Sequence, residues 1–280
     1  MFYLGKIKVD LNQVVIMAVL NVSPESFYQG SVRGSEQEII EFVEAAVKGG
    51  AKIIDVGGMS TAPYKQTFVP EEVELERVRK AIRAINETSL PAEISVDTQR
   101  SRVAEEALRL GATILNDISG FSDPNYLKLA KEYSASVIAV AHGKPEVRVD
   151  PVNYVIDKIR EAVEKAKSAG IEDEKITVDP AIGFIRPDWI ESYSWDAEVL
   201  SRLKEIKEAF NKPLLLGVSR KSFIGGIAGE KDPAKRLPGS ISAEVIGACL
   251  GANVIRTHDV AETYQALKVA EKILRSFELL

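Results

Sequence analysis

Residues 14–57, VVIMAVLNVSPESFYQGSVRGSEQEIIEFVEAAVKGGAKIIDVG, combine an apolar strand, an amphipathic helix and a second apolar strand. The strands are predicted at 14–20 and 52–57, where β-branched and other apolar residues run almost without interruption. The helix is predicted to begin at Ser35, because Glu38 follows at the spacing of a capping box and apolar residues then recur at helical intervals. The stretch therefore predicts a β-α-β unit with two buried parallel strands.

The same alternation of strand and helix continues to the end of the chain. Further strands are predicted at 93–97, 113–118, 136–141, 176–179, 213–218 and 253–257. Further helices are predicted at about 71–88, 100–110, 124–133, 152–169, 195–210, 240–250 and 260–276. Eight such units predict an α/β fold, a (β/α)8 TIM barrel that forms a single domain over residues 1–280. A doubly wound open sheet is the alternative, but no GxGxxG follows the first strand, so its dinucleotide-binding form loses support.

Composition limits the class of partner. The 280 residues are 45% hydrophobic and 28% charged with a net charge of −5, which is typical of a globular protein. The acidic balance argues against a nucleic-acid or membrane partner, and no apolar run reaches the length of a bilayer span. The N-terminus does not resemble a secretory signal, so a cytoplasmic location is predicted. With Cys249 as the single cysteine, neither an internal disulfide nor a multi-cysteine metal site is expected.

Polar side chains stand at the C-terminal ends of nearly all the predicted strands, where barrel enzymes carry their catalytic groups. They are Asn21, Asp55, Asp97, Asn116, Asp179, Ser219 with Lys221, and Arg256 with His258. A single aspartate at such a position is as often a helix cap or a loop anchor as a ligand contact, and Asp55 is the best candidate for such a structural role. Because each unpaired polar group in a dry barrel mouth costs about 1–3 kcal/mol, the whole set predicts a shared polar ligand.

These groups are divided by charge along the chain. The first six strands end in carboxylates and amides, which can accept hydrogen bonds from a flat heterocycle with N–H groups. Arg220 and Lys221 lie in a segment without acids after the seventh strand, and Arg256 and His258 follow the eighth. The loops after strands seven and eight form the usual phosphate site of this fold, so an anion is predicted there. The role of the second histidine, His142, stays open.

The sequence offers few metal-binding motifs. The sequence contains no HxH, HExxH or carboxylate-rich calcium loop, so a metal held entirely by protein side chains is not predicted. A Mg2+ ion that arrives with substrate phosphates and takes one protein oxygen as a ligand is compatible with the sequence.

Eight segments together resemble the dihydropteroate synthase family, in the family's order and over essentially the whole chain. They are MAVLNVSPESFYQG (17–30), IIDVGGMSTAP (53–63), ISVDT (94–98), ILNDISG (114–120), VDPAIGF (178–184), LLGVSRKSFIG (215–225), RLPGSISA (236–243) and IRTHDV (255–260). The resemblance implies a transferase of folate biosynthesis. Its reaction would join 6-hydroxymethyl-7,8-dihydropterin pyrophosphate to p-aminobenzoate and release pyrophosphate. It also implies a homodimer formed through the last helices, with which Ile246, Gly247, Leu250 and Gly251 are compatible.

The resemblance also implies roles for individual residues. Pterin contacts would be Asp97, Asn116, Asp179 and Lys221. Pyrophosphate contacts would be Asn21, Arg256 and His258, with the Asn21 side chain reaching Mg2+. Arylamine contacts would be Ser60, Thr61, Pro63, Phe184, Ser219 and Ser222. The catalytic set would then comprise Asn21, Lys221, Arg256 and His258, which act by electrostatic preorganisation and not by strong acid or base catalysis.

Three positions depart from the family's common pattern. Met59 stands where a glutamate is usual, Ala62 where an arginine is usual, and Gln29 where an acid is usual. They raise the alternative of a larger amine, a ribosylated aminobenzene phosphate as used in methanopterin biosynthesis. Two further alternatives are a pterin-dependent methyltransferase and a noncatalytic pterin-binding homologue.

Overall fold

The chain alternates strands and helices from end to end; the computed structural model describes residues 1–26, 28–60 and 68–280, without the side chain of Gln29. The strands are β1 (Phe2–Leu4), β2 (Ile7–Val9), β3 (Gln13–Asn21), β4 (Ile53–Gly57), β5 (Glu93–Asp97), β6 (Ile114–Asp117), β7 (Ser136–Val140), β8 (Ile176–Asp179), β9 (Leu215–Gly217), β10 (Val254–Thr257) and β11 (Glu278–Leu279). The helices are α1 (Glu36–Lys48), α2 (Glu71–Glu87), α3 (Ser101–Arg109), α4 (Pro124–Glu132), α5 (Pro151–Ser168), α6 (Ser192–Ser201), α7 (Leu203–Phe210), α8 (Ser222–Ala228), α9 (Leu237–Cys249) and α10 (Val260–Leu274). Among the described residues, no helix has both the length and the apolarity needed to cross a membrane.

Eight parallel strands form the barrel, in the order β8-β7-β6-β5-β4-β3-β10-β9. The ends of this order meet at a parallel bridge between Val178 and Leu214, where the Val178 N–H donates to the Pro213 carbonyl at 2.9 Å. The predicted (β/α)8 barrel is confirmed, and the open doubly wound sheet is wrong because its edge strands would not pair with each other.

Local sequence signals account for most of the element boundaries. At the start of α1, Ser35 Oγ accepts from the Glu38 N–H and the Glu38 carboxylate accepts from the Ser35 N–H, which is the predicted capping box. Helices α4 and α5 begin after the capping residues Asp123 and Asp150, each followed by a proline at the first helical position. The barrel strands are apolar on both faces, because helices cover the outside of the barrel and side chains fill its inside.

Three features differ from the sequence-based expectation. The helix predicted at 195–210 is divided at Arg202 into α6 and α7, although its apolar pattern continues through the break. The short helix α8 was not predicted, nor was the hairpin of β1 and β2. This hairpin covers the N-terminal end of the barrel, where Ser136 Oγ accepts from the Gly5 N–H at 3.0 Å and donates to the Tyr3 carbonyl at 3.0 Å. Strands of three residues are too short for an alternation pattern to show in the sequence.

Candidate active site

The C-terminal ends of five strands surround one small cavity. Its lining residues are Asp97, Asn116, Ile118, Asp179, Phe184, Gly217, Lys221 and Arg256. The open space between them is about 20 Å³, room for about one water molecule. Three of the predicted heterocycle acceptors, Asp97, Asn116 and Asp179, therefore face two of the predicted cations, Lys221 and Arg256, across a single cavity. Entry of a bicyclic ring requires side chains to move.

Arg256 lies at the centre of an ionic cluster inside the barrel mouth. Its Nε donates to Asp55 Oδ2 at 2.6 Å and its Nη2 donates to Asp97 Oδ2 at 2.8 Å. Asp55 is fully buried and also accepts from Asn116 Nδ2 at 3.3 Å. Asp55 does not cap a helix, because its side chain points into the barrel. It holds Arg256 and Asn116 and does not line the cavity, which agrees with the predicted structural role. Arg256, in turn, pairs with the acceptor side of the cavity in this structure.

Burial dominates the protonation of the two aspartates that line the cavity. Burial raises the pKa of Asp97 to about 7, and the attraction of Arg256 only partly opposes that rise. Burial also raises the pKa of Asp179, against the attraction of Lys221 and the hydrogen bond that Asp179 Oδ1 accepts from the Ala181 N–H at 2.7 Å. A ligand that donates hydrogen bonds to these two carboxyl groups would therefore stabilise their charged forms.

Lys221 closes the opposite side of the cavity. Its Nζ donates to the Ile182 carbonyl at 2.6 Å and lies 4.4 Å from the centre of the Phe184 ring. Burial lowers the pKa of Lys221 to about 8, with Asp179 opposing the change. Gly183 permits this placement: its φ is +86°, and a Cβ there would lie 3.0 Å from Lys221 Cδ.

His258 is held as a neutral imidazole next to the cations. Burial lowers its pKa to about 3, and repulsion by Arg256, Arg220 and Lys221 adds to that effect. Its Nδ1 lies 3.0 Å from Ser219 Oγ, which also accepts from the His258 backbone N–H at 3.2 Å. The cations that add to this lowering of the pKa also give the region a positive potential that would attract an anion.

Asn21, at the end of β3, is oriented by two serines. Its Nδ2 donates to Ser31 Oγ at 2.8 Å and to Ser26 Oγ at 3.3 Å. Both donor hydrogens are used in this way, and no described residue donates a hydrogen bond to Oδ1, so the amide oxygen can act as a ligand. Residues 1–26, 28–60 and 68–280 contain no group of three or more His, Cys, Asp or Glu side chains that could hold a metal. A neutral amide oxygen fits Mg2+ only as one ligand among several from a substrate.

Arg220 does not serve the predicted anion site. Its Nε and Nη2 donate to the two carboxylate oxygens of Asp259 at 2.8 and 2.7 Å, and its Nη1 donates to the carbonyls of Pro233 and Ala234. Its guanidinium also lies 4.3 Å from the centre of the Tyr28 ring. The prediction of an anion contact at Arg220 is wrong, because this buried guanidinium is used to hold the loops around it.

The residues expected to contact the arylamine are only partly described. Ser222 Oγ accepts from Arg186 Nη2 at 2.8 Å, which adds a further cation to the loops after β8 and β9. Ser60 is half-buried just beyond β4. Thr61 and Pro63, like Ala62, lie outside the described residues.

Other groups near the cavity were missed or left open in the sequence. Arg186 was missed because a lone arginine in a loop carries no pattern, and Thr257 because a threonine in a strand is ordinary. His142 is exposed, and its Nδ1 lies 2.9 Å from the Ile118 carbonyl. It does not line the cavity.

The fold and the strand-end cluster define the class of protein, a (β/α)8-barrel enzyme of the pterin-binding type. The family model "Pterin binding enzyme" matches residues 17–258. The dihydropteroate synthase of Escherichia coli K12 is 37% identical over 276 residues, which cover 96% of this chain and 95% of that protein.

Two solved structures support the same assignment. The Yersinia pestis dihydropteroate synthase, solved as a sulfonamide drug complex, has a TM-score of 0.87 and 30% identity, over 97% of this chain and 98% of that one. The Clostridium difficile enzyme, solved in the presence of pteroic acid, has a TM-score of 0.83 and 36% identity, over 98% and 100% of the two chains. The chain belongs to the dihydropteroate synthase family, as the sequence motifs indicated.

Proposed function

We propose that the chain joins 6-hydroxymethyl-7,8-dihydropterin pyrophosphate to p-aminobenzoate and releases pyrophosphate. The observation that carries this proposal is the single cavity in which Asp97, Asn116 and Asp179 face Lys221 and Arg256. Pteroic acid, present with the Clostridium difficile relative, consists of a pterin joined through one methylene to 4-aminobenzoate. The same product skeleton supports the choice of p-aminobenzoate here.

Pterin binding would replace the ion pair between Asp97 and Arg256 with hydrogen bonds from the pterin to Asp97. The cavity of about 20 Å³ is too small for a bicyclic ring while Arg256 pairs with Asp55 and Asp97. Pterin N–H groups can replace the guanidinium at Asp97, and Arg256 then becomes available to the diphosphate. Ring binding would in this way place a cation beside the leaving group.

The chemistry needs electrostatic stabilisation more than proton transfer. The bond between the pterin methylene carbon and the diphosphate oxygen breaks, and its electron pair leaves with the diphosphate. The amine nitrogen forms the new bond to that carbon and then loses a proton to solvent. Lys221 and Arg256 stabilise the departing charge, neutral His258 donates an N–H to it, and Asp97 and Asp179 stabilise the electron-poor ring.

Magnesium would be held by the Asn21 amide oxygen together with diphosphate oxygens. When bound, it would neutralise diphosphate charge as a Lewis acid. Asn21 supports this role because Ser26 and Ser31 fix the direction of its amide.

Incubation of the purified chain with the pterin diphosphate, Mg2+ and one amine at a time tests the proposal by mass detection of the product. We expect dihydropteroate and pyrophosphate in equal amounts with p-aminobenzoate. Lys221→Met should lower the rate at least about a hundredfold, since removal of a single stabilising group costs about that much. A preference for a ribosylated aminobenzene phosphate would assign the alternative amine that Met59, Ala62 and Gln29 suggested. Pterin binding without product from either amine would refute the proposal.

We further infer that the chain forms a homodimer through α9 and α10. Both helices line an apolar groove of about 850 Å³ that includes Ile246, Val269, Ile273 and Leu274, each more than half exposed. Exposed apolar patches of this kind mark interfaces, and a second copy can cover the groove by symmetry. Gly247, by contrast, faces the barrel, where a side chain would collide with Leu216.

Light scattering after gel filtration should give twice the chain mass of 30.7 kDa. Ile273→Glu should give a monomer at micromolar concentration, because a buried, unpaired charge would oppose association. Val147→Glu, at another exposed apolar residue outside the groove, is the matched control and should stay dimeric. A dimeric Ile273→Glu protein would place the interface elsewhere.

We also infer that residues 1–280 act as one pterin-binding unit in the cytoplasm. The continuous barrel and the single Cys249 support this inference. Fluorescence of a tagged chain in intact cells would locate it.

A further inference from the structure

Glu244 is a buried carboxyl group outside the cavity already described. It lies on α9, its side chain is fully buried, and no described residue forms an ion pair with it. Its Oε2 lies 2.7 Å from Thr263 Oγ1, and its Oε1 has no hydrogen-bond partner in the described part of the chain. A carboxylate in this place would be a buried charge without a counterion, so the neutral acid is the stable form.

A line of hydroxyl groups joins Glu244 to His258. Thr263 Oγ1 lies 3.1 Å from Thr257 Oγ1, and Thr257 Oγ1 lies 3.4 Å from Ser219 Oγ. Ser219 Oγ lies 3.0 Å from His258 Nδ1. The acid on α9 and the imidazole at the cavity are therefore the two ends of one hydrogen-bonded chain.

Each hydroxyl has one proton, so an unbroken line of donors between Glu244 and His258 can run in either of two directions. If Glu244 carries a proton and donates it to Thr263 Oγ1, each following hydroxyl donates to the next. Ser219 then donates to His258 Nδ1, and the imidazole proton stays on Nε2. If Glu244 is ionised it can only accept, the donors reverse, and Nδ1 carries the proton instead.

We propose that Glu244 is a positioning residue that sets the tautomer of His258 through the hydroxyls of Thr263, Thr257 and Ser219. The neutral acid selects the tautomer with Nε2–H, which can donate to an anionic oxygen. Donation to a diphosphate depends on the proposed function, but the coupling of acid and tautomer does not.

The groups around Glu244 and His258 define the pH at which the direction changes. Burial, with a smaller contribution from Asp259, raises the pKa of Glu244 to about 8 against the hydrogen bonds of Thr263 and Thr257 and the attraction of Arg220. His258 faces Arg220, Lys221 and Arg256 and stays neutral over the same range. Because Lys221 also titrates near 8, the experiment has to separate the two groups.

Nitrogen-15 NMR of the histidine side chains reads the tautomer directly, because the chain has two histidines and His142→Asn assigns them. In the ligand-free 280-residue chain, we expect His258 to have Nε2 protonated at pH 6.5. Its Nδ1 and Nε2 shifts should then move toward the other tautomer with a midpoint near pH 8. In Glu244→Gln, which cannot ionise, and in Thr257→Val, which interrupts the line, that movement should be absent.

Two controls make the result specific. Thr177→Val removes another fully buried hydroxyl, one without a partner among the described residues, and should titrate like the parent protein. Lys221→Arg removes the competing titration and should keep the midpoint. A parent protein whose His258 shifts do not move, or a Glu244→Gln protein with the parent midpoint, would overturn the proposal.

The kinetic consequence is measured separately with the pterin diphosphate. At pH 7, Thr257→Val should raise KM about threefold to tenfold, the size expected from one weakened hydrogen bond, with a smaller change in kcat. Failure of the proposed reaction would remove this kinetic test but leave the tautomer measurement intact. An unchanged KM with a lost tautomer response would overturn the link from Glu244 to the diphosphate.

Discussion

Arg256→Met is expected to lower the free energy of unfolding by about 3–5 kcal/mol at pH 7, the usual cost of removing one partner from a buried ion pair. Asp55 and Asp97 would then face each other without the guanidinium that now bonds to both. Turnover should fall at least a hundredfold, because the same cation is proposed to stabilise the departing diphosphate, about 3 kcal/mol. Urea unfolding and a steady-state assay measure the two effects.

The loss of stability in Arg256→Met should depend on pH. The pKa of Asp97 in the folded chain, about 7, is already above its ordinary value of 3.8. The folded state therefore binds more protons than the unfolded state between these values, and stability falls as pH rises through that window. Without the attraction of Arg256 the pKa of Asp97 in the folded chain should rise further, so stability continues to fall to higher pH. The difference in unfolding free energy between Arg256→Met and the parent protein should therefore be larger at pH 8 than at pH 5.

Arg102→Met is the matched control for the arginine substitution. Arg102 also pairs with two carboxylates, Glu71 and Glu72, but its side chain is 54% exposed. Exposed ion pairs contribute little to stability, so this variant should unfold like the parent protein and retain activity. Equal destabilisation of both variants, or a pH-independent loss in Arg256→Met, would contradict the central role of Arg256.

Asp97→Asn is expected to separate activity from stability. The amide keeps the shape of the side chain but presents an N–H donor where a pterin N–H needs an acceptor. Loss of a charge-assisted hydrogen bond and the unsatisfied donor together should lower kcat/KM for the pterin diphosphate about a hundredfold or more. The free energy of unfolding at pH 8 should stay within about 1 kcal/mol of the parent value. At that pH burial disfavours the charged form of Asp97, and the neutral amide of the variant avoids this cost.

Asp188→Asn serves as the control for this substitution. Asp188 is an exposed aspartate that pairs with Lys144 at the surface, so neither kinetics nor stability should change. Calorimetry with a pterin lacking the diphosphate should show the binding loss in Asp97→Asn directly. Normal pterin affinity in that variant would remove Asp97 from the pterin site.

The strand ends were predictable from the sequence because a parallel barrel brings them to one face. Asp97, Asn116 and Asp179 lie at the C-terminal ends of buried strands whose apolar runs are plain in the sequence, and all three line the cavity. Arg220 shows the limit of that reasoning. Arg220 is one of two adjacent cations in a segment without acids, which indicated an anion site. Its guanidinium instead forms an ion pair with Asp259, which is distant in sequence.

The sequence alone determined the eight βα units, the family and the set of polar residues at the barrel mouth, because each depends on local order or on motifs of a few residues. Only the tertiary structure decided the partners within that set. Arg256 meets Asp55 across 201 positions and Asp97 across 159, and Glu244 reaches His258 only through α10, β10 and the loop after β9. Such pairings follow from closure of the barrel, which brings its last strand beside its first. The local sequence does not predict which buried charged residues will pair.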